Sequence, residues 1–257
     1  EPAEKRQVTP EQHFTQPPPR YTEALGRLLG GIVAQHLHSA LAAALIKPPK
    51  RDLELETLAG VLKGEILVHM HCYRADEMIT ILDMADEFGY KMGTFHHGVE
   101  AYKIADELAE HNVCGALWAD WWGFKMEAYD GIQENVALVD RPEGSCSIVH
   151  SDSDEGIQRL NQEVAKTWAN GNRAGLDISE AEAWKWLTLN PAKGLGIEDE
   201  TGSLEVGKRA DLVVWSENPF STYAVADQVY IDGALMLDRA TGLKPRSDFR
   251  LGHPGAK

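Results

Sequence analysis

The chain has 257 residues, with 25 Lys+Arg against 40 Asp+Glu and a formal net charge of −15. That sign argues against binding a nucleic-acid backbone, which runs on Lys/Arg neutralisation of phosphate, and against docking on anionic lipid. No apolar run approaches the roughly 20 residues that a membrane-spanning helix needs. A hydrophobic fraction of 43% and a charged fraction of 25% are ordinary for a soluble globular protein, and the length allows one large core or two modest domains. Three cysteines (Cys72, Cys114 and Cys146) are too few for a disulfide scaffold and odd in number. They read more readily as reduced core residues than as a bridge.

The amino end, EPAEKRQVTPEQHFTQPPPR, is polar and Pro-rich, with no positive-then-apolar leader. We expect a linker there, or the cut end of something longer, and localisation is unreadable from it. Pro17, Pro18 and Pro19 forbid a local helix. From Tyr21 to Ile46 the composition turns helical, ending in SALAAALI and stopped by Pro48 and Pro49.

Beyond this point strand and helix signals alternate. EILVHMH (Glu65–His71) is a strand-like apolar run. Ala75–Phe88 places Met78, Leu82, Ala85 and Phe88 on one helical face closed by Gly89. Tyr90–Phe95 predicts a strand, Glu100–His111 a helix, Val113–Trp118 a strand and SCSIVH (Ser145–His150) a fourth. Gln158–Ala169 and Glu180–Leu189 predict helices. This order implies a parallel sheet with helical crossovers. The tail differs: ADLVVW (Ala210–Trp215) and QVYIDG (Gln228–Gly233), punctuated by Gly202, Gly207, Pro219 and Gly233, predict a small β-rich subdomain.

The histidines concentrate at predicted strand ends. His69 and His71 end the first strand, His96 and His97 the second, and His150 with Asp152 the fourth. In a parallel α/β barrel these ends meet at the face that holds the active site. Imidazole and carboxylate are the ligands of a catalytic zinc, which keeps one position open for water. A single such His is an ordinary hydrogen-bonded residue; the recurrence at several strand ends is what points to metal.

At these residues the chain resembles the amidohydrolase superfamily, in its imidazolonepropionase-like, prolidase-like branch. TFHHGVEAYKIADEL (Thr94–Leu108), with HCYRADEM before it and HSDSDEGIQRLNQE after it, carries the resemblance. TLNPAKGLGI (Thr188–Ile197) and GSLEVGKRADLVVWSENPF (Gly202–Phe220) are similar to the family's closing signature. The resemblance implies a (β/α)₈ TIM barrel with a small β-sandwich, and metal-assisted hydrolysis of amide, peptide or cyclic-amide C–N bonds. It implies one or two divalent ions, zinc by preference, and a small-molecule or short-peptide substrate.

The residues it implies are His71 or His69 as one metal ligand, His97 as another through its H-x-x-E pattern with Glu100, and Asp152 as ligand and proton acceptor. His97 would hold the metal or polarise the scissile carbonyl. The spacing from His71 to Met78 favours His71, and we expect only one of His69 and His71 to point at the barrel mouth. We expect His96 to face away from it, since strand side chains alternate.

The family also needs an H-x-H pair on a first strand and several further strands. Only four strands are evident here, and the chain therefore reads as a partial barrel. His36-Leu37-His38 is another H-x-H, but it runs into helical sequence close to His71. The expected organisation is 1–51 as an irregular and helical region, 52–195 as the C-terminal half of the barrel, and 196–257 as a β-sandwich segment and tail. The chain is either a cut enzyme or one subunit, non-catalytic alone, that needs a complementing chain; self-association into a homo-oligomer also fits.

Other patterns carry less. Gly202–Lys208 fits G-x-x-x-x-G-K, but Arg209 stands where a phosphate loop needs Ser or Thr. Cys146, Ser147 and His150 lie along one strand without the geometry of a nucleophile and its base. Cys72 beside His71 reads as a packed thiol. Trp118, Trp121, Trp122 and Phe124 either wall a pocket or pack the barrel rim as core.

Overall fold

The computed structural model describes residues 50–242, except 122 and 124. The expected helix over 21–46 and the His36/His38 pair lie outside the described residues. Contacts divide the chain into two units, Glu1–Lys63 and Gly64–Lys257. Of the first, the described part is helix α1 (Leu53–Leu62) with its cap. Asp52 Oδ1 accepts from the backbone N–H groups of Glu54 and Leu55 at 3.1 Å, satisfying donors that the first turn leaves open.

The second unit holds four parallel strands in sequence order: β1 (Val68–Cys72), β2 (Met92–His97), β3 (Cys114–Leu117) and β4 (Ser147–Val149). Helix α2 (Ala75–Phe88) joins the first two. It buries Met78, Leu82 and Ala85, and Gly89 ends it at φ 67°, where a residue without Cβ meets no steric cost. The β2–β3 crossover is a 3₁₀ turn over Ala101–Ile104 running into α3 (Ala105–Glu110). A short helix α4 (Asn135–Val139) precedes β4. After β4 come α5 (Leu160–Arg173), α6 (Glu180–Lys185) and α7 (Leu189–Leu195). The sheet and these helices share one core, whose largest fully buried side chains include Trp186, Phe95, Met78, Leu82 and Leu108. Among the described residues no helix is long and apolar enough to cross a membrane.

The tail forms a three-stranded antiparallel sheet in the order β5 (Leu212–Trp215), β6 (Ala226–Ile231) and β7 (Ala234–Asp238). The strand expected over Gln228–Gly233 stops two residues early. Asp232 (φ 50°) and Gly233 (φ 76°) both have positive φ and form the two-residue hairpin turn into β7. The expected helix Glu180–Leu189 is likewise two helices. Asn190, Ala192 and Gly194 of α7 are buried, so it presents no apolar stripe from which to read it.

Cys114 and Cys146 form a disulfide, which corrects the reading of all three cysteines as reduced. The reason is register: Gly115 pairs with Ser147, so the residues just before them lie side by side, with Cα atoms 4.5 Å apart. The bridge closes a loop over a separation of 32 residues, worth about 3–4 kcal/mol on a chain-entropy basis. Replacing both cysteines by Ala is expected to lower the free energy of urea unfolding by about that amount. A double variant as stable as the parent would show that the bridge does not constrain the unfolded chain.

Candidate functional site

The C-terminal ends of β1, β2 and β4 bring six chemistry-bearing side chains together. His71 Nδ1 lies 2.8 Å from His97 Nε2, and His69 Nδ1 lies 3.0 Å from His96 Nε2. The His71 and His96 rings stack at 5.0 Å. His69 and His71 therefore share one side of β1, as residues two apart on a strand must. The expectation that only one points inward fails.

His96 does not face away either. Its ring meets His69, His71 and, edge-on at 5.8 Å, His150. The alternation rule breaks because β2 leaves extended geometry at its last residue: His97 has φ 71° and Gly98 φ 41°. Two consecutive imidazoles can then reach the same cluster. Gly98 is also fixed by crowding, since a Cβ there would lie 2.5 Å from the Leu117 side chain.

His97, His150 and Asp152 form a tighter group within this cluster. One donor atom from each lies within 4.8 Å of the others. His97 Nδ1 sits 3.1 Å from Asp152 Oδ2 without hydrogen-bond alignment. Asp152 Oδ2 accepts from Trp118 Nε1–H at 2.9 Å. His97 Nδ1 and His150 Nε2 are buried with no hydrogen-bond partner among the described residues. His71 touches the group through His97, and His69 lies a further ring away, through His96. Sequence reasoning put His150 at the right strand end without assigning it as a ligand. The signal was its place two residues before Asp152.

The surroundings fix His97. The Tyr73 ring lies flat on it at 4.8 Å, and Trp118 contacts it from another side at 4.7 Å. Trp118 thus packs the site as buried core, its ring 5.4 Å from that of Trp121. Trp122 and Phe124 lie outside the described residues. Lys125 Nζ donates to the Tyr73 hydroxyl at 2.5 Å. Glu100 ties the two loops together: one of its oxygens accepts from Ala75 N–H at the start of α2, and its own N–H donates to the Tyr73 carbonyl. Cys72 is buried, and burial pushes its thiol up to about 11, so it is a packed thiol.

Burial also sets the charge of the cluster. It pushes the His150 and His96 imidazoles down to about 4, reinforced by neighbouring histidines and opposed by Asp152. Burial lowers His97 as well, again against Asp152. Neutral imidazole is the metal-binding form. A histidine with a depressed folded pKa loses stability progressively through the pH window in which only the unfolded chain is protonated. Stability of the metal-free protein is therefore full above about pH 7 and falls on acidification from about 6.5 toward 4. Urea midpoints measured across pH 4–8 test this, and a flat profile from pH 7 to 5 would contradict it.

Residues 143–236 match the amidohydrolase family. The amidohydrolase tasK of Hapsidospora irregularis is 32% identical over 193 residues, which is 73% of this chain and 19% of that protein. A solved amidohydrolase from Thermotoga maritima is 34% identical with a TM-score of 0.69, over 84% of this chain and 55% of that one. The chain carries an amidohydrolase-family domain. An adenosine deaminase from Xanthomonas campestris solved with bound zinc shares the fold at 22% identity and a TM-score of 0.53, over 75% of this chain and 50% of that one. The four parallel strands and their helices are thus part of the amidohydrolase (β/α)₈ barrel. The chain spans about half of each of these two solved structures and about a fifth of the tasK protein.

Proposed function

We propose that this chain supplies catalytic residues to a metal-dependent hydrolase that cleaves an amide, peptide or cyclic-amide C–N bond. The observation that carries the reading is the convergence of His97, His150 and Asp152, with His97 Nδ1 facing Asp152 Oδ2 at 3.1 Å and His150 Nε2 buried without a partner among the described residues. Buried polar atoms without partners are rare, and a missing ion is one of the few explanations for them. Two imidazoles and one carboxylate suit zinc and leave a fourth position open. These three residues would hold the ion, with His71 beside them as a further donor. The residues fit the group.

A divalent ion there supplies Lewis acidity and brings water toward ionisation near neutral pH. Asp152 accepts the proton from the attacking water and returns it to the leaving nitrogen. Trp118 orients the Asp152 carboxylate for this, and Tyr73 and Trp118, themselves in contact, both pack against the His97 ring. The zinc-bound deaminase of the same fold supports the choice of ion, and the amidohydrolase relatives support a hydrolase. The test is equilibrium dialysis against zinc, followed by assay of the intact enzyme on N-acyl amino acids, dipeptides and cyclic amides. Absence of zinc uptake at one ion per chain, or full activity after chelation, overturns it.

A further inference from the structure

The turn that delivers His97 is held from outside the histidine cluster. His97 has φ 71° and Gly98 φ 41°. Glycine adopts the left-handed region freely, but histidine enters it at a steric cost, and such a residue persists where its surroundings over-determine it. The amide side of the turn is fixed by the Gly98 N–H, which donates to the Cys72 carbonyl at 3.0 Å. The carbonyl side is fixed by Asn135, the first residue of α4 and only 3% exposed. Its Nδ2 donates to the Gly98 carbonyl at 2.9 Å and to the Val99 carbonyl at 3.3 Å. Its Oδ1 accepts from the Tyr102 N–H at 2.9 Å. The amide orientation is unambiguous, since the reverse would set its oxygen against two carbonyls and its NH₂ against an N–H. One side chain thus clasps residues 98–102 from 33 to 37 positions further along the chain. Asn135 and His97 also line the same small cavity.

We infer that Asn135 is a positioning residue: its side-chain amide locks the left-handed His97–Gly98 turn, and through it the bearing of the His97 imidazole on Asp152 and His71. This rests on the hydrolase reading above, in which His97 holds the ion. The physical route is short. In extended geometry successive side chains point to opposite sides of a strand, so a relaxed turn would not keep His96 and His97 in one cluster. The 2.8 Å approach of His97 to His71 and the 3.1 Å approach to Asp152 would go with it. Removing the amide strips a partner from the Gly98 and Val99 carbonyls and from the Tyr102 N–H, and burial makes such a loss costly. A role in merely docking α4 fits less well. That helix has other ties to the sheet, such as Ser147 Oγ donating to the Val136 carbonyl at 2.9 Å, whereas Asn135 directs its amide to the one loop that carries His97.

The experiment compares Asn135→Ala and Asn135→Asp with Ser147→Ala, which removes a buried hydrogen bond to the same helix without touching the turn. Asn135→Asp keeps the shape and the acceptor for Tyr102 but puts an oxygen where the donor faced two carbonyls. In the isotope-labelled, metal-free 257-residue chain, NMR reads the turn directly, because positive φ brings a residue's own HN and Hα close and gives a strong NOE between them. At His97 that NOE is expected to be strong in the parent and in Ser147→Ala and weak in both Asn135 variants; equal strength in the Asn135 variants overturns the proposal. If neither variant folds, the parent decides. Its Asn135 side-chain N–H protons must exchange slowly with solvent, and free exchange overturns the clasp. Competition titration with a zinc indicator gives the consequence: binding about 10–100-fold weaker in the Asn135 variants, the usual loss for a residue that orients a metal ligand, and unchanged in Ser147→Ala. An equal loss in Ser147→Ala, or none in the Asn135 variants, overturns the proposal. A parent chain that takes up no zinc sinks the metal reading instead, and the His97 NOE still decides what Asn135 holds.

Discussion

Asp152→Asn in the intact enzyme is expected to lower turnover by about two to four orders of magnitude, the usual contribution of a general base. The amide keeps the shape of the carboxylate but cannot take a proton. It can still face Trp118 Nε1–H with its oxygen, so the indole hydrogen bond at 2.9 Å can persist. Metal content should fall less than activity, because His97 and His150 remain. Asp154 is the control: it lies two residues on, and its carboxylate accepts from the backbone N–H of Glu155 at 3.0 Å in a local turn. Steady-state kinetics with metal analysis on both variants decides the assignment. A dead Asp154→Asn beside a normal Asp152→Asn would transfer the role to the other carboxylate.

His150→Ala is expected to weaken zinc binding on the order of 100-fold or more, since loss of even an outer-shell partner of a metal ligand costs about 10–100-fold. His69→Ala should cost least of the cluster, because its contact is with His96, outside the three-residue group. His71→Ala should fall between, since it touches His97 directly at 2.8 Å. Competition titration with a zinc indicator ranks the three. If His69→Ala or His71→Ala loses the ion and His150→Ala keeps it, the site is built from β1 rather than from β4.

Much of this arrangement was legible in residues. Ala75–Phe88 announced α2 through a 3.6-residue apolar rhythm and a closing glycine, and the structure ends it at the same two residues. The strand ends carrying His71, His97 and Asp152 were legible because apolar runs stop there. What the sequence hid was backbone geometry at single residues. The left-handed turn at His97 brought His96 into the cluster, and no composition signal marks a non-glycine residue with positive φ. The bridge between Cys114 and Cys146 depended on strand register, a long-range property invisible to local pattern. Helix α4, at five residues, is too short to show a period.

That bridge has a mechanical side. It joins β3 and β4 at their entry ends, while the Trp118 to Asp152 hydrogen bond joins the segments leaving the same two strands. The pair is thereby pinned at both extremities, like a ladder with its first and last rungs fixed. Sliding one strand past the other by a single residue would tear the covalent rung and swing Asp152 away from the indole. Shear between these strands is thereby opposed next to the 3.1 Å approach of Asp152 to His97. A thiol reductant would release the lower rung and leave the alignment of the carboxylate to the β3–β4 backbone ladder and the indole N–H.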